Sequence, residues 1–129
     1  MLNLKKLLAR LSTKADVPKH LDASVVKPRA TGWSPTYKTV SAIADYNMIG
    51  VRFMIQTVGD IPVDQMLIFP RHVGNWTQSI TWYSNSAGVY VRGRVTVEWD
   101  TNRVGVALIN GDVSRYYCQI QQVTGLAHK

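Results

Sequence analysis

At 129 residues, 46% hydrophobic and 18% charged, the chain is long enough for one folded body with a real core and too apolar for a disordered segment. Its one cysteine, Cys118, excludes an intrachain disulfide and any multi-cysteine metal site. The formal charge of +7 is uneven: residues 1–30 carry seven basic against two acidic side chains and residues 31–129 eight against six, so a basic face for nucleic acid is not indicated.

Leu4, Leu7, Leu8 and Leu11 recur at helical spacing, with Asn3, Lys5, Lys6 and Arg10 elsewhere around the turn. This pattern predicts a short amphipathic helix over residues 1–13. So short a helix is marginal alone in water, and its leucine stripe needs a cover. The a- and d-like positions favour sister copies of the same helix, hence a homo-oligomer. The domain's own surface, a partner protein or a membrane surface are the other covers, the last weakened by the lack of an aromatic anchor. No run of 18 apolar residues predicts a membrane span, and Lys5, Lys6 and Arg10 interrupt any secretory core. The basic, acid-free residues 1–15 also share the character of a transit peptide.

Residues 14–45 read as an extended connector, punctuated by Pro18, Pro28 and Pro35, with Tyr37 to Ala44 able to add a short edge strand. From residue 46 to 129 the period changes to two. Val51, Phe53 and Ile55 alternate with Arg52, Met54 and Gln56, and Asp64 to Phe69 forms an apolar run closed by Pro70. Asn75 to Tyr83 alternates again, and Ser84 to Gly88 is a small-residue loop. Val89, Val91, Val95 and Val97 then oppose Tyr90, Arg92, Arg94 and Thr96. Val104 to Ile109, the turn dipeptide Asn110-Gly111 and Tyr116 to Val123 complete what reads as a three-stranded meander. Six or seven such strands predict an all-β fold, an antiparallel β-sandwich or jelly roll.

Catalytic patterns are missing from this sequence. Asp60 and Asp64 flank one turn and Glu98 and Asp100 another, the ordinary place for solvated acids rather than a glycosidase pair. His20, His72 and His128 have no ligand spacing, and no nucleophile elbow, phosphate loop or dinucleotide fingerprint occurs, so neither metal nor cofactor is expected. Twelve aromatic residues are the remaining resource. Trp82, Tyr83, Asn85, Tyr90 and Arg92 gather around the Ser84–Gly88 loop, with Trp76 further along the strand. Rings beside amide and guanidinium groups suit sugars, whose C–H faces stack while hydroxyls find hydrogen bonds. The same rings also suit a core or a subunit interface. Single-stranded nucleic acid would use similar rings, but the charge balance opposes it.

The leucine-rich N-terminal segment, the proline-punctuated connector and the compact β-domain together resemble small phage tail or baseplate receptor-binding proteins and related fibre tips. The closing run, from Val104 through Asn110-Gly111-Asp112, Tyr116-Tyr117-Cys118 and Gln121-Gln122 to Leu126, is similar to C-terminal segments of such prophage structural proteins. The resemblance implies a virion protein, a homotrimer with its helices bundled near the particle and β-domains that bind a host cell-surface saccharide. It assigns no binding residue, and the shaft repeats of larger fibres are missing from this chain. An assembly or decoration protein that contacts only other virion proteins is the alternative.

Overall fold

Ile49, Val51, Phe53 and Ile55 occupy every second position, which in an extended chain puts all four on one side. In the computed structural model of the protein these side chains are 0–3% exposed, while Arg52 between them faces solvent. The structure describes residues 18–129 apart from 58, 61, 112 and 114. Leu4, Leu7, Leu8 and Leu11, and with them the expected helix over 1–13, lie outside the described residues.

Eight strands follow in order: β1 Lys19–Asp22, β2 Thr36–Thr39, β3 Tyr46–Thr57, β4 Val63–Pro70, β5 Asn75–Ser84, β6 Val89–Glu98, β7 Arg103–Leu108 and β8 Tyr116–His128. They form two four-stranded antiparallel sheets with the orders β1-β8-β3-β4 and β2-β7-β6-β5. Phe53, Phe69, Ile120 and Cys118 from the first sheet share one core with Val91, Val95, Val106 and Leu108 from the second. The fold is all-β and sandwich-like, as the alternation requires.

Two expectations change. The stretch read as an extended connector over 14–45 supplies two short edge strands: β2 falls where Tyr37 to Ala44 is read as able to add one, and β1 is unexpected. Lys19 pairs with Gly125, and Tyr37 with Gly105. Val26, Val40 and Ile43 from the same stretch are buried in the core. Four-residue strands are too short to show a period, and edge pairing is made by backbone groups that leave no side-chain signature. The meander also shifts: β5, β6 and β7 are consecutive neighbours, whereas β8 crosses to the other sheet and lies between β1 and β3. Asn110-Gly111 is therefore no two-residue hairpin. Gly111 has φ +94° and lies under the Tyr116 ring, within a seven-residue passage between the strands that is long enough to change layers.

Close approach explains Gly93. A Cβ there would lie 3.1 Å from Phe53 Cζ and 3.4 Å from Cys118, so the missing side chain lets Phe53 reach across to the second sheet. Cys118 is buried, and desolvation pushes its thiol up to about 12. The expected result is no reaction with a thiol reagent in the native protein at pH 8 and one equivalent of reaction in denaturant; rapid native labelling would contradict this burial.

Candidate cleft and aromatic face

The β3–β4 and β5–β6 connections meet at one end of the body, clasped by one carboxylate. Asp60 accepts hydrogen bonds from Ser84 Oγ and from the Ser86 backbone N–H, both at 3.1 Å. Its own N–H donates to the Thr57 carbonyl, and Gln56 donates to the Asp60 carbonyl. Ser84, fully buried, also accepts from the Ala87 N–H while its carbonyl accepts from Gly88, whose φ of +70° closes the turn.

Between these clasped turns opens a cleft of about 450 Å³. The first hairpin contributes Gln56, Thr57, Asp60 and Val63, and the second Trp82, Tyr83 and Asn85. Two lining residues carry buried polar atoms without a hydrogen-bond partner, Thr57 Oγ1 and Trp82 Nε1. Both atoms are closed off from the open space, so they belong to the wall of the cleft rather than to its accessible surface.

The six residues singled out in the sequence do not form one patch. Trp82 points inward and packs against the core, opposite Val91. Tyr83 faces outward, opposite Tyr90, with ring centroids 5.1 Å apart in an edge-to-face arrangement. Asn85 joins Trp82 and Tyr83 at the cleft. Arg92 lies with Tyr90, Thr81 and Asn110 around a shallower depression of about 290 Å³ on the outer face of the β5–β6 pair. The Asn110 side chain orders that rim, accepting from the Arg92 N–H at 2.8 Å and donating to the Tyr90 carbonyl at 2.9 Å. Trp76 stands apart, about 20 Å along β5 at 3.4 Å per residue, and stacks on His72.

Sequence reasoning missed Thr57 and Gln56, which only the hairpin clasp brings to the cleft, and it missed Trp33. This indole, 62% exposed, lies 5.0 Å from the Arg94 guanidinium. It lies between Pro28 and Pro35, in a stretch with no periodic signal. Nearby, Arg103 covers the Tyr37 ring at 4.0 Å and pairs with Glu98, which also accepts from Thr101 and Asn75. Gly105 lies directly beneath Tyr37 and Pro35.

Three of the four turn acids have their own partners. Asp60 belongs to the clasp, Asp64 pairs with Arg52 across β3 and β4, and Glu98 is held by Arg103. Among the described residues no three His, Cys, Asp or Glu side chains gather to hold a metal ion, and no helix is long and apolar enough to cross a membrane.

Compared with protein families, with curated proteins and with solved structures, the chain matches none. The likeness to phage receptor-binding proteins therefore rests on the sequence layout alone. What the site can do follows from its accessible groups: stack a sugar face on Tyr83 and bond hydroxyls through Asn85.

Glu98 sets an acid dependence. Burial acts to raise its carboxyl, but hydrogen bonds from Arg103 and Thr101 and the Arg103 charge outweigh it and hold the group below the ordinary 4.5. A depressed folded value means stability that is complete above 4.5 and lost as pH falls through the folded value. As pH falls below 4.5 the wild-type unfolding midpoint should fall towards that of Glu98→Gln. Parallel pH profiles of the two proteins would contradict the depressed value.

Proposed function

We propose that this chain is a non-enzymatic binding module whose ligand is a cell-surface saccharide, and that it serves as the receptor-binding tip of a small phage virion protein. The observation that carries the binding reading is the cleft beside Tyr83, lined by that half-exposed ring and the Asn85 amide. Oligosaccharides offer hydroxyls to such groups and C–H faces to such rings. The virion reading draws on the sequence layout. The leucine stripe Leu4, Leu7, Leu8 and Leu11 supports assembly as a homotrimer. The body is read as a jelly-roll relative, because β1 with β8 and β2 with β7 wrap in nested pairs while β3–β4 and β5–β6 close as hairpins.

Glycan-array binding by the full chain, lost in Tyr83→Ala and in Asn85→Ala, is the expected result. An array with no binding, or binding indifferent to both substitutions, would remove the reading. For the trimer, light scattering should give three times the chain mass for the wild type and a smaller species for Leu4→Asp with Leu8→Asp.

The second reading is an assembly or decoration protein. Its support is a methionine-bearing part of the outer face of the β1-β8-β3-β4 sheet, beside the Arg52–Asp64 pair, where Met66 and Ile68 are 44% and 43% exposed and Leu126 and Met66 meet over Gly50. Met54 lies on the same face, with the Gln121 amide against its sulfur. Adaptable methionine surfaces suit protein partners. Under this reading, Met66→Glu with Ile68→Glu blocks incorporation into particles and no glycan binds.

A further inference from the structure

We infer that the saccharide is acidic, a chain bearing carboxylates, and that it runs from the cleft across the outer face of β6 to Arg94 and Trp33. The inference rests on the saccharide reading of Tyr83 and extends it.

Arg92 and Arg94 are alternate residues of β6, so both project from the same face about 7 Å apart. The inward side of this strand is occupied by Val91, Val95 and Val97, all buried. Three ion pairs occur among the described residues, Lys38–Asp22, Arg52–Asp64 and Arg103–Glu98, and neither Arg92 nor Arg94 belongs to one. Glu98, the acid of this strand, is already held by Arg103 and Thr101. Among the described residues, then, neither guanidinium group is paired with a carboxylate, and the Glu98 carboxylate on the same face is engaged elsewhere.

Arg94 is also prepared. Its guanidinium lies over the Trp33 indole, and its Nε is buried without a hydrogen-bond partner. A stacked guanidinium loses little further freedom when its remaining N–H groups meet a carboxylate in the two-pronged geometry that arginine favours. Arg92 borders the depression with Tyr90, Thr81 and Asn110, and Tyr90 leans on Tyr83 at the cleft. The groups therefore form one track, Tyr83, Tyr90, Arg92, Arg94 and Trp33. From Tyr90 to Arg94 alone it covers about 14 Å at 3.4 Å per residue, longer than a single sugar ring. Rings at the ends and guanidinium groups between them match a polymer with both C–H faces and regular negative charge.

Single-stranded nucleic acid presents rings and phosphates in a similar order. It is disfavoured because its affinity grows from many phosphate contacts. Residues 31–129 hold eight basic side chains against six acidic ones, too even a balance for that.

The test is titration of the full chain with oligogalacturonate, with sialic-acid oligomers, with the carboxyl-reduced form of each, and with oligo-dT. Binding to at least one acidic glycan is expected, about ten-fold weaker or worse after carboxyl reduction and in Arg92→Gln or Arg94→Gln, since a charge-assisted pair contributes about that factor. Raised salt should weaken it as well. Arg92 is exposed and makes no contact in the core, so Arg92→Gln keeps the result readable if Arg94→Gln perturbs Trp33. Equal binding by wild type and both arginine variants, with loss in Tyr83→Ala, would overturn the acidic track and leave the saccharide reading standing. No glycan binding at all would overturn both. Tighter binding of oligo-dT than of any acidic glycan would replace the saccharide with nucleic acid.

Discussion

Phe53→Ala lowers the unfolding free energy by about 3–5 kcal/mol, the range for removing a fully buried ring from a core that cannot collapse around the gap. Phe53 is 0% exposed and its Cζ reaches to within 3.1 Å of where a Cβ on Gly93 would stand, so it bridges the two sheets at their centre. Neither strand can close the gap, because β3 is held by β8 and β4 and β6 by β5 and β7. In thermal unfolding the loss should appear as a midpoint about 10–20 °C lower. The mechanism has a second consequence. Gly93→Ala should destabilise the wild type by crowding the ring, and should cost less in a Phe53→Leu background, where Cζ is gone. Additive losses in that double-mutant cycle, or a Phe53→Ala effect below 1 kcal/mol, would show that the ring does not carry the contact between the sheets.

Arg71→Ala costs about 2–4 kcal/mol, as expected when a charged donor to several buried carbonyls is lost. Arg71 follows β4 directly and donates to the carbonyls of Ile43, Ala44 and Tyr46, at distances from 2.6 to 3.1 Å. Those residues form the short 3-10 turn Ser41–Asp45 and the start of β3, and Ile43 and Tyr46 are themselves buried. The guanidinium also covers the Trp99 ring at 4.5 Å. One planar group thus ties the β2–β3 crossing, the β4–β5 loop and the end of β6 together. Arg71→Lys should recover only part of the loss, because a point charge cannot serve three carbonyls and a ring at once. Chemical denaturation of the three proteins provides the measurement, and full recovery by lysine would mean that charge alone suffices. Because Arg71 touches neither the cleft nor the arginine track, glycan binding by the folded fraction of Arg71→Ala should equal that of wild type.

The two effects mark where stability and the candidate site part company. Phe53 and Arg71 hold the sheets and their crossings. The cleft depends instead on Asp60, whose bonds to Ser84 and Ser86 keep two hairpin ends side by side. A site built on turn ends can vary its ligand contacts while the body beneath it stays the same.

The sequence alone determined the long strands and their buried sides. Side chains alternate faces in an extended chain, so Ile49, Val51, Phe53 and Ile55, or Val91, Val95 and Val97, announce a buried face without knowledge of a partner. It likewise located the Tyr83–Tyr90 neighbourhood, since the Ser84–Gly88 turn brings those two residues together by local chain reversal. Only the tertiary structure decided the rest. Whether Tyr116–His128 would pair with β7 or cross to β3 depends on a choice between distant partners, to which the local turn signal Asn110-Gly111 is blind. The edge strand β1 is held by backbone hydrogen bonds, which side-chain patterns do not reveal. For the same reason Trp33 could be placed over Arg94, and Thr57 beside Trp82, only once the sheets were assembled: these contacts join residues far apart in sequence, and periodicity reports neighbours along the chain, never neighbours across it.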